Sequence, residues 1–149
     1  MTGQNANKNT VNLLTVWSIR NEGINSWQQC VKTAVDFHGD HLNCKSMVII
    51  SDQQKGLKNG LEAHAPKASH FGCYRHHMEN VEKFGLNQGP IFERMVYANN
   101  EADYDTQYNK LNANAKAYVD RFSKEEISPL FLYLIKGVST QDNTASTVT

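Results

Sequence analysis

The sequence predicts an α/β fold: a short mixed sheet with flanking helices, followed by an all-helical block. Three observations carry this. Met47-Val48-Ile49-Ile50 is apolar without alternation, ends on Ser51-Asp52, and reads as a strand covered on both faces. Trp27, Cys30, Val31, Ala34 and Val35 fall at i, i+3, i+4, i+7 and i+8, one face of a helix. From Pro90 onward the apolar residues step by three or four with no period of two.

Residues 1–10 are polar and are expected to be poorly ordered. Val11 to Ile19 is β-branched and apolar, and reads as a strand. Asn25 is placed to cap the next helix, with Gln28 in capping-box position, and Gly39 is a natural stop. Residues 46–51 form the next strand. Leu57 and Leu61 mark a short helix that Pro66 ends. His70 to Cys73 reads as a brief strand, and Met78, Val81 and Phe84 as a further helix.

In the second half, Pro90 suits a first helical position, followed by Ile91, Phe92, Met95 and Val96. Tyr104, Tyr108, Leu111, Ala115, Val119 and Phe122 predict one long helix, whose aromatics belong to a core rather than to a base-stacking platform. Ser123 and Glu126 make a second capping-box pair before Ile127, Leu130, Phe131 and Leu134. The expected organisation is therefore a polar terminus (1–10), an α/β core (11–87), a helical region (88–137) and a polar tail (138–149).

With 149 residues the chain has room for one domain with a real core, and 40% hydrophobic against 20% charged residues describes a folded protein. Fifteen basic residues balance fifteen acidic ones. That neutrality argues against strong non-specific DNA binding by this chain alone, because such affinity comes mainly from phosphate neutralisation. Three cysteines without a signal peptide point to a reducing compartment, and no apolar run suits a membrane partner. Cys30 falls on a helix's apolar face, and Cys44 lies in a turn-like stretch.

Asp52 ends a buried strand, where open α/β sheets gather ligands and metal ions, although a strand-end or helix-capping role is the simpler reading. Lys55 is placed to meet a phosphate or simply to be solvated. Cys73-x-x-His76, with His70 before it and His77 after it, invites a zinc hypothesis. A closed zinc site takes four ligands, usually as two pairs, and Cys30, Cys44, His38, His41 and His64 supply no second pair by spacing, which argues against zinc. The bland reading has Cys73 packed in the core, His76 capping or bonding nearby, and Arg75 and His77 solvated.

Ile49-Ile50-Ser51-Asp52-Gln53-Gln54-Lys55-Gly56-Leu57, followed at a set distance by Cys73-Tyr74-Arg75-His76, resembles the Mutator-like element (MULE) transposases. Trp17-Ser18-Ile19-Arg20-Asn21-Glu22 and then Ser26-Trp27 are similar to an upstream strand and helix of that family, and Glu101 to Phe122 to its helical insertion. The resemblance implies a partial RNase H-like fold of the DDE group, Mg²⁺ or Mn²⁺ as cofactor, DNA transposon ends as partner, and the nucleus as location. It makes Asp52 the second acidic position and a metal ligand, with Lys55, Gly56, Cys73 and His76 as motif residues. The departures are specific. No apolar strand precedes Val11 to carry a first aspartate, and Ser146 stands where the family has its final glutamate. The chain is therefore expected to be a fragment that does not catalyse strand transfer by itself. Loss of the first strand is further expected to leave edges on strands 11–19 and 46–51 unpaired, or to pair those strands with each other, and so to lower solubility. Two other classes stay open: a non-catalytic nuclear DNA-associated or regulatory module, and an unrelated small α/β domain binding metal through His70, Cys73 and His76.

Overall fold

The computed structural model describes residues 2–4, 10–12, 23–52 and 55–136. The architecture is mixed α/β, mostly helical. Strands β1 (Thr2–Gln4) and β2 (Thr10–Asn12) pair antiparallel, with Gly3 opposite Val11. The pair takes in part of the polar N-terminal stretch, while 13–19, the rest of the expected first strand, and the motif residues Trp17 to Glu22 lie outside the described residues. Helix α1 (Ile24–His38) and a short 3-10 turn (Gly39–His41) lead to β3 (Val48–Ser51). Helix α2 (Lys55–His64) then crosses to β4 (Ser69–Gly72).

β3 and β4 run parallel. Ser69 donates its N–H to the Met47 carbonyl at 2.9 Å and Cys73 to the Ser51 carbonyl at 2.7 Å, so both strands advance together in one register. Among the described residues the strands form two separate pairs, β1–β2 and β3–β4, rather than one sheet.

The chain divides into two compact units. In the first, covering the described residues of 1–49 and 53–70, α1 packs on α2. Val31, Leu61 and Ala65 are buried there, with Val35, Ile49, Leu57 and Ala68 against them. Two glycines one turn apart let the helix backbones meet. A Cβ on Gly56 would lie 2.9 Å from the Ile24 Cα, and one on Gly60 3.2 Å from the Trp27 carbonyl. Gly39 ends α1 as expected, at φ 59°. Asn25 does not cap this helix. Gly23 does, in extended backbone, and Asn25 lies inside the first turn. A small residue that adopts the extended form is enough where solvent can satisfy the first N–H groups.

The second unit holds Ile50–Asp52 and Phe71–Gly137, of which the structure describes residues to 136. Its helices are α3 (Tyr74–Glu82), α4 (Gln88–Val96), α5 (Glu101–Lys110), α6 (Ala113–Val119), α7 (Lys124–Ile127) and α8 (Pro129–Lys136). Val81, Phe92, Met95, Val96, Tyr104, Leu111, Ala115, Val119, Ile127 and Phe131 form its core. Pro90 is the third residue of α4 rather than the first, still within the turn whose N–H groups need no intrahelical acceptor.

The expected long helix is two helices. Leu111 leaves helical backbone at ψ 144°, and Asn112 caps α6 by accepting the Ala115 N–H at 2.9 Å. Asn112 also donates its Nδ2 to the Phe84 carbonyl and its N–H to Gln88 Oε1, so the break is fixed from outside the helix. The Ser123–Glu126 capping box is present in full. Pro129 then separates α7 from α8.

Candidate functional site

The end of β3 is held by its neighbours in sequence and in the sheet. Ser51 donates its hydroxyl to the Asp52 carbonyl at 2.8 Å, and its own carbonyl accepts the Cys73 N–H. Asp52 follows β3 directly and is half-buried. Cys73 follows β4 directly and sits in the N-cap position of α3, with extended backbone (φ −65°, ψ 113°) and no side-chain capping bond. The His77 N–H closes the first turn onto the Cys73 carbonyl at 3.1 Å. Parallel pairing thus brings the Asp52 motif and the Cys-x-x-His motif to the same end of one strand pair, the position open α/β sheets use for ligands.

Lys55 opens α2, and its side chain lies outside the described residues, as do Gln53, Gln54 and Ser146. Gly56 is buried against Ile24 and Trp27, so its role is close helix packing. Cys73 is a half-buried free thiol and His76 is exposed on the first turn of α3. Arg75 is solvated as expected and pairs with Glu79 one turn on, at 2.8 Å. That guanidinium holds the Glu79 carboxyl below its ordinary range. His70 is half-buried on β4.

Among the described residues no group of three His, Cys, Asp or Glu side chains converges on a point where a metal ion would sit. A two-metal centre needs several carboxylate oxygens within a few ångströms, since Mg²⁺ takes hard oxygen ligands in near-octahedral array. Among the described residues Asp52 is not part of such a cluster.

Sequence reasoning placed His77 in solvent, and the structure corrects this. His77 is 1% exposed. Its Nδ1 lies 3.0 Å from the Tyr118 hydroxyl, which also accepts from Asn80 Nδ2 at 3.3 Å. The Phe122 ring meets the imidazole edge-on at 4.8 Å, and the Phe92 and Tyr118 rings complete the box. The signal was available, because His77 lies four residues before the core residue Val81 and shares its face of α3. The next-door His76 of the motif obscured it. Beside this box, burial and then the Glu93 carboxylate push the Tyr74 phenol well above its ordinary pKa.

In the first unit, Cys44 lies in the turn expected for it. Its Sγ stands 3.3 Å from the Ser46 hydroxyl, a contact that lowers the thiol's pKa although burial works the other way. No helix among the described residues is long and apolar enough to cross a membrane.

Comparison with curated proteins gives no match to this chain. Comparison with family models does: the model of the MULE transposase domain matches residues 1–80, more than half of the 149. That span contains both short motifs and ends within α3. The chain belongs to the MULE transposase family.

Proposed function

We propose that this chain is part of the catalytic domain of a DNA transposase of the DDE group, built on a partial RNase H-like core (11–87) with a helical insertion (88–137). Asp52 is its second acidic position. The observation that carries the reading is the family match over residues 1–80, with Asp52 at the end of β3 and Cys73 bonded beside it. The substrate in this reading is transposon-end DNA in the nucleus, and the cofactor is Mg²⁺ or Mn²⁺.

Phosphodiester cleavage by two metal ions needs a cluster of anionic oxygens to bring the cations to the scissile phosphate and to the attacking water. In this reading the described residues offer Asp52, while position 146, set in the place of the final glutamate by motif resemblance alone, carries a neutral serine hydroxyl. Asp52 would be one ligand of a metal ion that activates the attacking water, and in this reading one such ligand is too few for cleavage by the chain on its own. Gly56 serves the packing of α2 on α1 and stays outside the chemistry.

The test is a repair. Ser146→Glu is combined with any in-frame upstream segment that ends an apolar strand in aspartate. Mn²⁺-dependent cleavage of duplex DNA, lost again on Asp52→Asn, is the expected result. A repaired chain that folds and leaves DNA intact overturns the reading. Sequence-specific DNA binding that persists without any cleavage would support the second reading, a non-catalytic DNA-associated module.

A further inference from the structure

Lys124 opens α7, and its ammonium sits in a cage that none of the transposase motifs touches. Its Nζ lies 5.1 Å from the Tyr104 ring centroid and 4.7 Å from that of Phe131. The Glu101 carboxylate accepts from it at 3.1 Å and that of Asp105 at 3.5 Å. One charge therefore ties three elements: α5 through Glu101, Tyr104 and Asp105, α7 through Lys124 itself, and α8 through Phe131. Both rings are buried and meet edge to face, 4.8 Å apart. Ring faces attract a cation through their quadrupole, and more strongly where water is partly displaced. Burial opposes the charge, yet the two carboxylates outweigh it and hold the ammonium above the ordinary lysine pKa. The anchors of α8 also include the Ser128 hydroxyl bond to the Val96 carbonyl and the packing of Leu130, while Tyr133 and Leu134 are exposed.

We propose that Lys124 is a charge-gated latch holding α7 and α8 to α5, and a modification site at which acylation of the amine releases them. The reagent class is a thioester acyl donor. The ammonium first loses a proton to solvent, and the amine nitrogen attacks the thioester carbonyl. A C–N bond forms as the C–S bond breaks, and the departing thiolate takes a second proton from nitrogen. The Lys124 side chain is 41% exposed, so such a donor reaches Nζ. The amide product carries no charge, so both ring attractions and both ion pairs are lost and a single N–H donor remains. Arginine keeps the charge and also stacks on ring faces.

Hydrogen exchange of the full chain carrying acetyllysine at position 124 tests this. Amides of residues 129–136 are expected to exchange roughly tenfold faster than in the unmodified chain, the loss appropriate to two ring contacts and a partly exposed ion pair. Lys124→Gln should reproduce the effect, and Lys124→Arg should stay within about twofold. Acetyllysine at position 83, whose Nζ bonds the Asn80 side chain at the end of α3, should leave α8 unchanged. Unchanged exchange with acetyllysine at 124 overturns the proposal. So does an equal rise at 83, or a rise that extends equally to α1 and marks global unfolding.

Discussion

The Cys73 amide donates to the Ser51 carbonyl at 2.7 Å, and this bond joins the two motifs that mark the chain. Cys73 lies twenty-one residues beyond Asp52, with a whole crossover helix between them. Parallel pairing converts that separation into adjacency. α3 begins one residue past Cys73 and Asp52 directly follows the neighbouring strand, so the motif spacing reflects sheet register as much as chemistry.

The bond is testable without disturbing the local backbone. Cys73 has φ −65°, which proline adopts, so Cys73→Pro removes the donor and little else. A net loss of about 1 kcal/mol is expected, since a part-buried acceptor loses its partner. Cys73→Ser, which keeps the N–H, should stay near the parent. Urea midpoints of the two variants decide the matter, and equal midpoints would remove the bond from the account.

Gly56 separates packing from chemistry. On propensity alone, Gly56→Ala should stabilise α2 by about 1 kcal/mol. The added methyl would stand 2.9 Å from the Ile24 Cα and from Trp27 Cδ1, and backbone cannot yield cheaply. Overpacking of this kind costs about 1–3 kcal/mol, so net destabilisation is expected. Gly60→Ala, with nearest approaches of 3.1–3.3 Å, should cost less. A chain stabilised by Gly56→Ala would show that the helices are not held this close.

Alkali should loosen the helical unit. Burial, and then the phenols and carboxylates nearby, push Tyr104 up to about 12 from its ordinary 10. Burial likewise raises Tyr97 and Tyr118, and a hydrogen bond to Asp120 raises Tyr108. A raised phenol binds its proton more tightly folded than unfolded. Its stabilisation is complete below pH 10 and is lost as pH climbs from about 10 toward about 12. Denaturation midpoints across that window should fall, with a shallower fall in Tyr104→Phe. A flat profile would contradict the burial assigned to these rings.

Much of the fold was legible because its signals are local. The apolar run into Asp52, the glycine stop at 39 and the Ser123–Glu126 capping box each depend on residues within one or two turns. The misread elements depend on distant partners. The helix spanning 104–122 breaks at Asn112 because Phe84 and Gln88, more than twenty residues earlier, bind that side chain and backbone. His77 is buried because Tyr118 and Phe122 fold back over it, which spacing within α3 only hints at. Gly56 reads in sequence as a motif position, and its packing role requires knowing that α1 crosses there. At the candidate site, the spacing of Asp52 and Cys73 is legible in the sequence, and the parallel pairing that joins their motifs is visible only in three dimensions.

In the proposed reading Asp52 is the one catalytic carboxylate that the described residues supply, too few for cleavage. Nicking of supercoiled DNA by the full chain in Mn²⁺, beside Asp52→Asn, tests it most directly. The expected result is intact plasmid with both proteins. Mn²⁺-dependent nicking by the parent that vanishes in Asp52→Asn would contradict it.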